Sequence, residues 1–400
     1  MLLTMKDQQR IEAMQALMDS RLSVAQTARV LGLGERQVWR LLARARGDGL
    51  QGLLHGNRGR EPANKSDERL WRRVLKLAGE KYRGVNDRHL QELLAREHGL
   101  TVCRESLRKH LRAAGLAPKR QRRPRKYRAR RERRAASGML LQIDASPHDW
   151  LEGRGPHLTL IGAIDDATNQ AWAHFAESET TWAYLLLMRR IALSEGLPLA
   201  LYSDRHDIFH ARREPTIAEQ LNNARPLTQF GRAMAELGVS IIPAYSPQAK
   251  GRIERQWGVL QDRLVVELRL AGVSTLAGAN ALLDHYLPGH NRRFRVAPRE
   301  QCPVWRPAPD ARRLDRVLCL KETRVVGRDH VVSFRGLALQ VPPSRKFFSL
   351  AGRRVDVLQL RDHSIEVHRD GEAVARFSHE QVKALAKRSS RAKSQQEARV

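Results

Sequence analysis

Cysteine is nearly absent. Cys103, Cys302 and Cys319 are the three in a 400-residue sequence, they lie far apart, and none belongs to a Cys-x-x-Cys pair. That excludes a disulfide framework or a cysteine-rich zinc site and fits a reducing compartment. Long apolar runs are missing too: none approaches the roughly 18 residues of a membrane span. The opening stretch Met1–Asp7 lacks the pattern of a signal peptide, so a soluble, intracellular protein is expected. Acidic residues are in short supply, 43 Asp and Glu against 72 Lys and Arg, which leaves a formal net charge of +29. An excess of this size implies a polyanionic partner, bound with an affinity that falls steeply as salt is added. Membrane attachment is the weaker reading, because no long basic amphipathic helix stands out. At this length the chain is expected to form two to four domains.

The first of these is helical. Ile11, Met14, Leu17 and Met18 form one apolar stripe, Val24, Ala28 and Leu31 a second, and Val38, Leu41, Leu42 and Ala45 a third. Ser23 and Gln26 have capping-box spacing, and Leu31-Gly32-Leu33-Gly34 supplies the sharp turn of a helix-turn-helix. Arg36, Gln37, Arg40 and Arg44 lie off the last stripe, where side chains reach base edges and phosphates. An ordinary three-helix bundle with a solvated basic face gives the same pattern; the charge of the whole chain favours DNA. Residues 1–50 are therefore read as a helix-turn-helix domain and 51–65 as a linker. Residues 66–117 repeat the theme, with Arg104, Arg108, Lys109 and Arg112 projecting from a last helix that Gly115 caps. Either this second unit reads DNA or it only positions the first. Eleven of the seventeen residues Pro118–Arg134 are Lys or Arg, so 118–137 is expected to be an extended or disordered basic tether lying along phosphates.

The chemistry is expected in residues 138–300. Met139–Asp144 is an apolar run ending in an aspartate, as is Pro198–Asp204, and each reads as a buried strand with a carboxylate at its tip. Glu254 follows a Pro- and Gly-punctuated turn and opens a helix whose apolar face is Ile253, Trp257, Leu260 and Leu264. Asp144, Asp204 and Glu254 would thus meet at one point, which like charges tolerate only if a cation neutralises them. Two Mg²⁺ ions suit such oxygen ligands and would stabilise both oxygens of an in-line phosphoryl displacement; Mn²⁺ is an alternative ion. Between the two aspartates, Leu158–Ile164 and Gln170–Phe175 flank the turn Asp165–Asn169, and Thr180–Leu193 is helical. A three-stranded meander followed by alternating helices and strands is the order of an RNase H-like domain.

At this point the motifs are specific. Gln142–Trp150, Ile164–Thr168, Leu201–His206 and Ser246–Glu254 together closely resemble ISNCY-type insertion-sequence transposases of the integrase-like DDE group, over about Thr4 to Pro298. The resemblance implies an RNase H-like core, dependence on Mg²⁺, and cleavage and joining of double-stranded DNA at the element's terminal repeats and in target DNA. It places the family's acids on Asp144, Asp204 and Glu254, as catalytic residues and metal ligands. It also implies a homo-oligomer on DNA and a bacterial, cytoplasmic, nucleoid-associated location. Forty-nine residues separate Asp204 from Glu254, more than in retroviral integrases, and the polar segment 205–226 reads as an inserted loop. The zinc-binding His/Cys domain that opens retroviral integrases has no counterpart here.

Gln248, Lys250 and Arg252 are candidates for phosphate contact beside the metals. Asp165 and Asp166 suit a turn better than a metal, Asp207 ends no strand, and His148 and His206 are read as structural. Leu276–Tyr286 is expected to be helical and leads to Asn291-Arg292-Arg293-Phe294, which resembles a family element. Residues 310–378 break into short β-branched runs expected to form a small SH3-like β-barrel, and 379–400 a basic, disordered tail. The chain is thus a multidomain α/β protein: helix-turn-helix units, an RNase H-like core, a small barrel. Two rivals to a DNA transposase are a DNA-binding regulator that has lost catalysis and a structure-selective nuclease.

Overall fold

The computed structural model describes residues 4–54, 67–119, 131–221, 225–244, 250–343 and 349–387. The chain divides into two compact units, Met1–Lys81 and Tyr82–Val400. The first unit holds α1 (Met5–Met18), α2 (Val24–Leu31), α3 (Glu35–Asp48), a short 3-10 turn (Leu50–Leu53) and α4 (Glu68–Gly79). The Ser23–Gln26 capping box forms at the start of α2, and Gly32 ends that helix in the left-handed region with φ 62°. Met14, Val38, Leu42 and Leu53 close the core of this helix-turn-helix. On α4, Trp71, Val74 and Ala78 are buried.

The second unit opens with α5 (Asp87–His98) and α6 (Arg104–Ala113). Its centre is a five-stranded sheet of β1 (Leu141–His148), β2 (Leu158–Asp165), β3 (Ala171–Ala176), β4 (Ala200–Ser203) and β5 (Ser240–Pro243), in the order β3-β2-β1-β4-β5. β1 to β3 are the antiparallel meander, while β4 and β5 run parallel to β1. Between β4 and β5 the chain forms a one-turn helix, α8 (Ile217–Leu221), and then α9 (Gln229–Glu236). Helices cover both faces. On one side Leu141, Ile143, Ile161 and Leu201 pack with α7 (Thr181–Ser194) and α9. On the other, Leu160, Ile164 and Phe175 pack with α10 (Gly251–Leu270) and α11 (Leu276–Phe294). Alternation along β1 therefore sends Leu141 and Ile143 to the first face, and Gln142 and Asp144 to the face of α10.

Three expectations are corrected here. β1 does not stop at Asp144 but runs on to His148, because β2 pairs with it along its whole length. α11 does not end at Tyr286; it continues through Pro288 to Phe294. Its Asn280 and Asn291 each bond both the backbone N–H and the C=O of one β3 residue, Phe175 and Ala171 respectively, at 2.8–3.0 Å. The open edge of the sheet is thereby satisfied by side chains. The end of the basic tether is docked rather than loose: Arg131, Arg133 and Arg134 all bond Asp166 in the β2–β3 turn, while 120–130 lie outside the described residues.

After a short helix, α12 (Ala311–Val317), come β6 (Leu320–Val325), β7 (Val331–Phe334), β8 (Leu337–Gln340), β9 (Arg354–Gln359), β10 (Ile365–Arg369) and β11 (Glu372–Phe377). They form a four-stranded sheet, β11-β10-β9-β6, and a separate β7–β8 hairpin. The two share one core of Val332, Phe334, Val357 and Val367, but the described strands do not pair into the closed barrel the sequence suggested. Residues 379–387 are helical, with Val382 and Leu385 packed on that core, so the tail expected to be disordered begins as structure; the remainder lies outside the described residues. No helix among the described residues is long and apolar enough to cross a membrane.

Candidate active site

Leu141 lies opposite Leu201 and Gln142 opposite Tyr202 in the parallel β1–β4 pair. Asp144 lies two residues beyond Gln142 on β1, and Asp204 follows the last residue of β4, so both acids stand toward the carboxyl end of that pair, where open α/β sheets place their ligand sites. The two carboxylates share one ammonium. Lys250 Nζ donates to Asp144 Oδ1 at 2.7 Å and lies 3.5 Å from Asp204 Oδ2. Lys250 itself is buried, with the Asp144 side chain 19% and the Asp204 side chain 47% exposed.

Asp144 is also fixed from behind. Trp257 Nε1 donates to its Oδ2 at 3.0 Å. The ring can lie there because β2 has a glycine opposite Asp144: a Cβ on Gly162 would come within 2.5 Å of Trp257 Cη2. On the far side of Asp204 the chain turns at once, and the backbone N–H of His206 donates to Asp204 Oδ1 at 3.1 Å. His206 is thus a turn residue, its Nδ1 accepting from Ile208 N at 3.3 Å. His148 stacks edge-on with Trp150. Asp207 pairs with Arg212.

Glu254 is exposed in the first turn of α10, where the helix dipole favours a carboxylate. The structure thus brings two of the three predicted acids together and sets the third on the adjoining helix start. Among the described residues no group of three or more His, Cys, Asp and Glu side chains is close enough to hold a metal ion. The Asp144–Asp204 pair nevertheless fits a cation, since it already encloses one positive group.

The start of α10 is tied to the sheet by a buried network. Gln142 accepts from the backbone N–H of Ile253 at 3.2 Å and donates to Asp166 Oδ1 at 2.8 Å. Arg252 donates to the same oxygen at 2.6 Å and to the Arg131 carbonyl at 2.6 Å. Burial pulls the Arg252 pKa down, against the opposite pull of Asp166. Asp165 accepts from Gly138 N–H, Thr168 N–H and Thr168 Oγ1 at 2.6–3.1 Å; burial raises its pKa. Both aspartates of the turn are thereby committed to structure, as the sequence suggested. Sequence reasoning misses Gln142 and Trp257 as supports of the site. The available signal is a polar Gln within an apolar run, two residues from Asp144 and so on its face.

α5 is held against α10 and α11 by a second network. Glu92 pairs with Arg263 at 2.6 Å and with Arg293, and Glu267 with His89 at 2.9 Å and Arg96 at 2.8 Å. Burial raises the Glu267 pKa, but the hydrogen bonds from His89 and Arg96 outweigh it and hold the carboxyl at about 2.

Comparison with known proteins then decides the family. A winged helix-turn helix model matches residues 10–70. A protein of Sinorhizobium fredii that carries the provisional name transposase y4bF is 36% identical over 92% of this chain and 80% of its own length. The transposase for insertion sequence IS1202 of Streptococcus pneumoniae is 32% identical over 76% of this chain and 71% of its own. The chain belongs to the insertion-sequence transposase family. Among solved structures, the HTLV-2 integrase catalytic core domain in complex with magnesium is similar over 37% of this chain and 82% of that one, with 14% identity and a TM-score of 0.29. The simian T-cell lymphotropic virus intasome in complex with PP2A regulatory subunit B56 gamma matches over 52% and 66%, with 15% identity and a TM-score of 0.32.

In this transposase the candidate DNA-reading side chains on α3, Arg36, Gln37, Arg40 and Arg44, are all exposed. Trp39 on the same helix is 55% exposed and is a further surface residue that sequence reasoning misses; its position off the Val38–Leu41–Leu42–Ala45 stripe is the available sign. On α6, Arg104 and Lys109 are exposed, Arg108 pairs with Glu105 at 2.6 Å, and Arg112 is engaged by Asp87 and the Leu116 carbonyl at 2.7 and 2.8 Å. Lys250 and Arg252 meet protein carboxylates, and Gln248 lies outside the described residues.

Proposed function

We propose that this transposase binds the terminal inverted repeats of its element through the helix-turn-helix and cuts and joins DNA at Asp144, Asp204 and Glu254, within an RNase H-like core. The observation that carries the reading is that Asp144 and Asp204, at the end of two parallel strands, share the Lys250 ammonium, with Glu254 in the first turn of the helix that follows Lys250. Asp144 and Asp204 would hold divalent cations, Mg²⁺ by the chemistry of their oxygen donors, with Glu254 completing the set. Such ions supply charge that stabilises the attacking and leaving oxygens of a phosphodiester exchange. The chain's own part is orientation. The Trp257 N–H and the Lys250 ammonium fix the Asp144 carboxylate, and the His206 N–H fixes Asp204. Gln142 and Asp166 hold the first turn of α10, and with it Glu254, against β1. Lys250 and Arg252 are engaged by Asp144 and Asp166 and serve the site as supports of these carboxylates and of the α10 start. Hydrolysis at an element end followed by attack of the freed 3′-hydroxyl on target DNA needs no covalent enzyme intermediate, and pairing two ends calls for more than one subunit.

The test is strand transfer by purified protein on a labelled duplex carrying the element's terminal repeat, with Mg²⁺, comparing wild type with Glu254→Gln and Asp144→Asn. Joined product from wild type alone, with repeat binding kept in all three, is the expected result. Tight repeat binding by wild type without nicking or joining under any divalent ion would favour a DNA-binding regulator instead.

A further inference from the structure

Seven tryptophans are spread along the chain, and six of them are buried or half-buried. Trp150 and Trp257 lie in the core on one side of the central sheet, Trp172, Trp182 and Trp305 pack against the core on the other, and Trp71 is buried on α4. Trp39 alone is an exposed residue, at 55%. It belongs to α3, whose buried face is Val38, Leu41, Leu42 and Ala45, so the core of the helix-turn-helix closes without it. A single exposed apolar side chain calls for no explanation by itself. Its place on the helix does.

On a helix, residues four apart lie in one row. Arg36, Arg40 and Arg44 form one such row on α3, and Trp39, Ala43 and Gly47 form the row beside it. All six are exposed. The second row tapers from the largest side chain to none. Its glycine is not called for by packing within the unit: outside the helix's own backbone, no described atom lies within 4 Å of where a Cβ would be. The outward side of α3 thus sets guanidinium groups beside an apolar strip whose bulk sits in the first half of the helix. A helix-turn-helix enters the major groove with the N-terminal part of its second helix. There an arginine finds the O6 and N7 of guanine, and an apolar side chain finds the C5-methyl of thymine. Attraction to a polyanion accounts for the arginine row; it does not account for an indole.

We propose that Trp39 is a specificity-determining residue of repeat recognition: its indole, continued by Ala43, packs on the C5-methyl of a thymine in the major groove of the terminal repeat, beside bases contacted by Arg36 and Arg40. The inference rests on the helix-turn-helix being the module that binds the repeat, and it names the chemical group that module reads. A second copy of the chain is the other occupant an exposed indole accepts. The arginine row alongside opposes pairing of this strip with its own copy and attracts a duplex.

The experiment uses the full chain and the element's terminal-repeat duplex, together with repeat duplexes in which one thymine at a time is replaced by uracil, which removes the methyl and leaves the base pair. Wild type, Trp39→Ala and Trp39→Phe are compared by equilibrium titration at several salt concentrations, with a duplex of unrelated sequence as reference. Wild type should lose about fourfold in affinity at one or more uracil positions, the worth of one buried methyl. Trp39→Ala should bind the unmodified repeat roughly tenfold more weakly and show no penalty at those positions. On the unrelated duplex it should keep the wild-type affinity and salt slope, which also shows that it is folded. Trp39→Phe should retain part of the penalty. Preference of wild type for the repeat with no uracil penalty anywhere overturns the inference and leaves repeat binding standing, as does a penalty that Trp39→Ala keeps in full. Equal weakening of Trp39→Ala on both duplexes overturns it in favour of a phosphate contact, and altered sedimentation with unchanged repeat affinity in favour of a contact between copies. If wild type does not prefer the repeat at all, the repeat-binding reading fails, and the inference with it.

Discussion

Lys250 is the residue on which the site turns. It puts a positive charge where Asp144 and Asp204 would otherwise repel one another. In Lys250→Gln the melting temperature without divalent ions should fall, by an amount equivalent to about 1–3 kcal/mol, and the rise on adding Mg²⁺ should exceed that of wild type. Thermal melts with and without Mg²⁺ read this directly; an equal Mg²⁺ response in both proteins would count against a shared cation site. Gly162 makes a sharper case. An alanine there meets Trp257 at 2.5 Å, so the ring must shift and its bond to Asp144 is lost. Gly162→Ala should lose about 1–3 kcal/mol in a urea titration, as overpacked positions do, and joining activity with it. In the sequence Asp144 stands out as the end of an apolar run, whereas Gly162 and Trp257 do not, because what relates them is the pairing of β1 with β2 and the seating of α10.

At the scale of elements, α10 and α11 are held by side chains that answer backbone groups. Asp166 gathers Arg131, Arg252 and Gln142 around one fully buried carboxylate. Asp166→Asn leaves the two guanidinium groups without their anion, a change costing about 3–5 kcal/mol when an ion pair is buried. The expected outcome is loss of joining along with a lower unfolding midpoint, and retained activity at wild-type midpoint would refute the role. Asn280 and Asn291 cover the β3 edge. Replacing both by Ala should destabilise by about 1–3 kcal/mol per unsatisfied backbone site, and expose an edge that promotes association, visible in sedimentation. The helical periodicity of α10 and the meander order are legible in the sequence, being set by local alternation of apolar and polar residues. The extension of α11 through Pro288 is not, since a proline normally signals an end and only the packing of this helix along β3 keeps it going.

For the whole molecule, charge and buried histidines set the response to conditions. Burial, helped by Arg190, lowers the His174 pKa to about 4, and burial with Arg263 and Arg293 does the same for His290. Both are neutral in the folded chain and take up protons more readily when unfolded. Their contribution to stability is therefore complete above about pH 6.5 and lost as pH falls from there through 4, up to about 3 kcal/mol each. Glu267 adds a lower window, from its unfolded value of 4.5 down to about 2. Stability measured against pH should decline from pH 6.5 downward, and His174→Leu should remove part of that decline; a flat profile between 6.5 and 4 would contradict the assignment.

Near-neighbour spacing in the chain dictates the elements and their chemistry: a helix-turn-helix with its capping box, two apolar strands that each meet an aspartate, and a helix opening at Glu254, all under +29 of net charge. Short-range sterics and burial translate such spacing directly into local structure. Other features exist only in the packed chain: Lys250 between the two aspartates, and Asp166 anchoring both the tether's end and α10. The division of the C-terminal strands into a sheet and a hairpin is of the same kind. Each joins residues far apart in sequence, and their geometry is fixed only when the sheet register and the helices packed on it bring them within bonding distance.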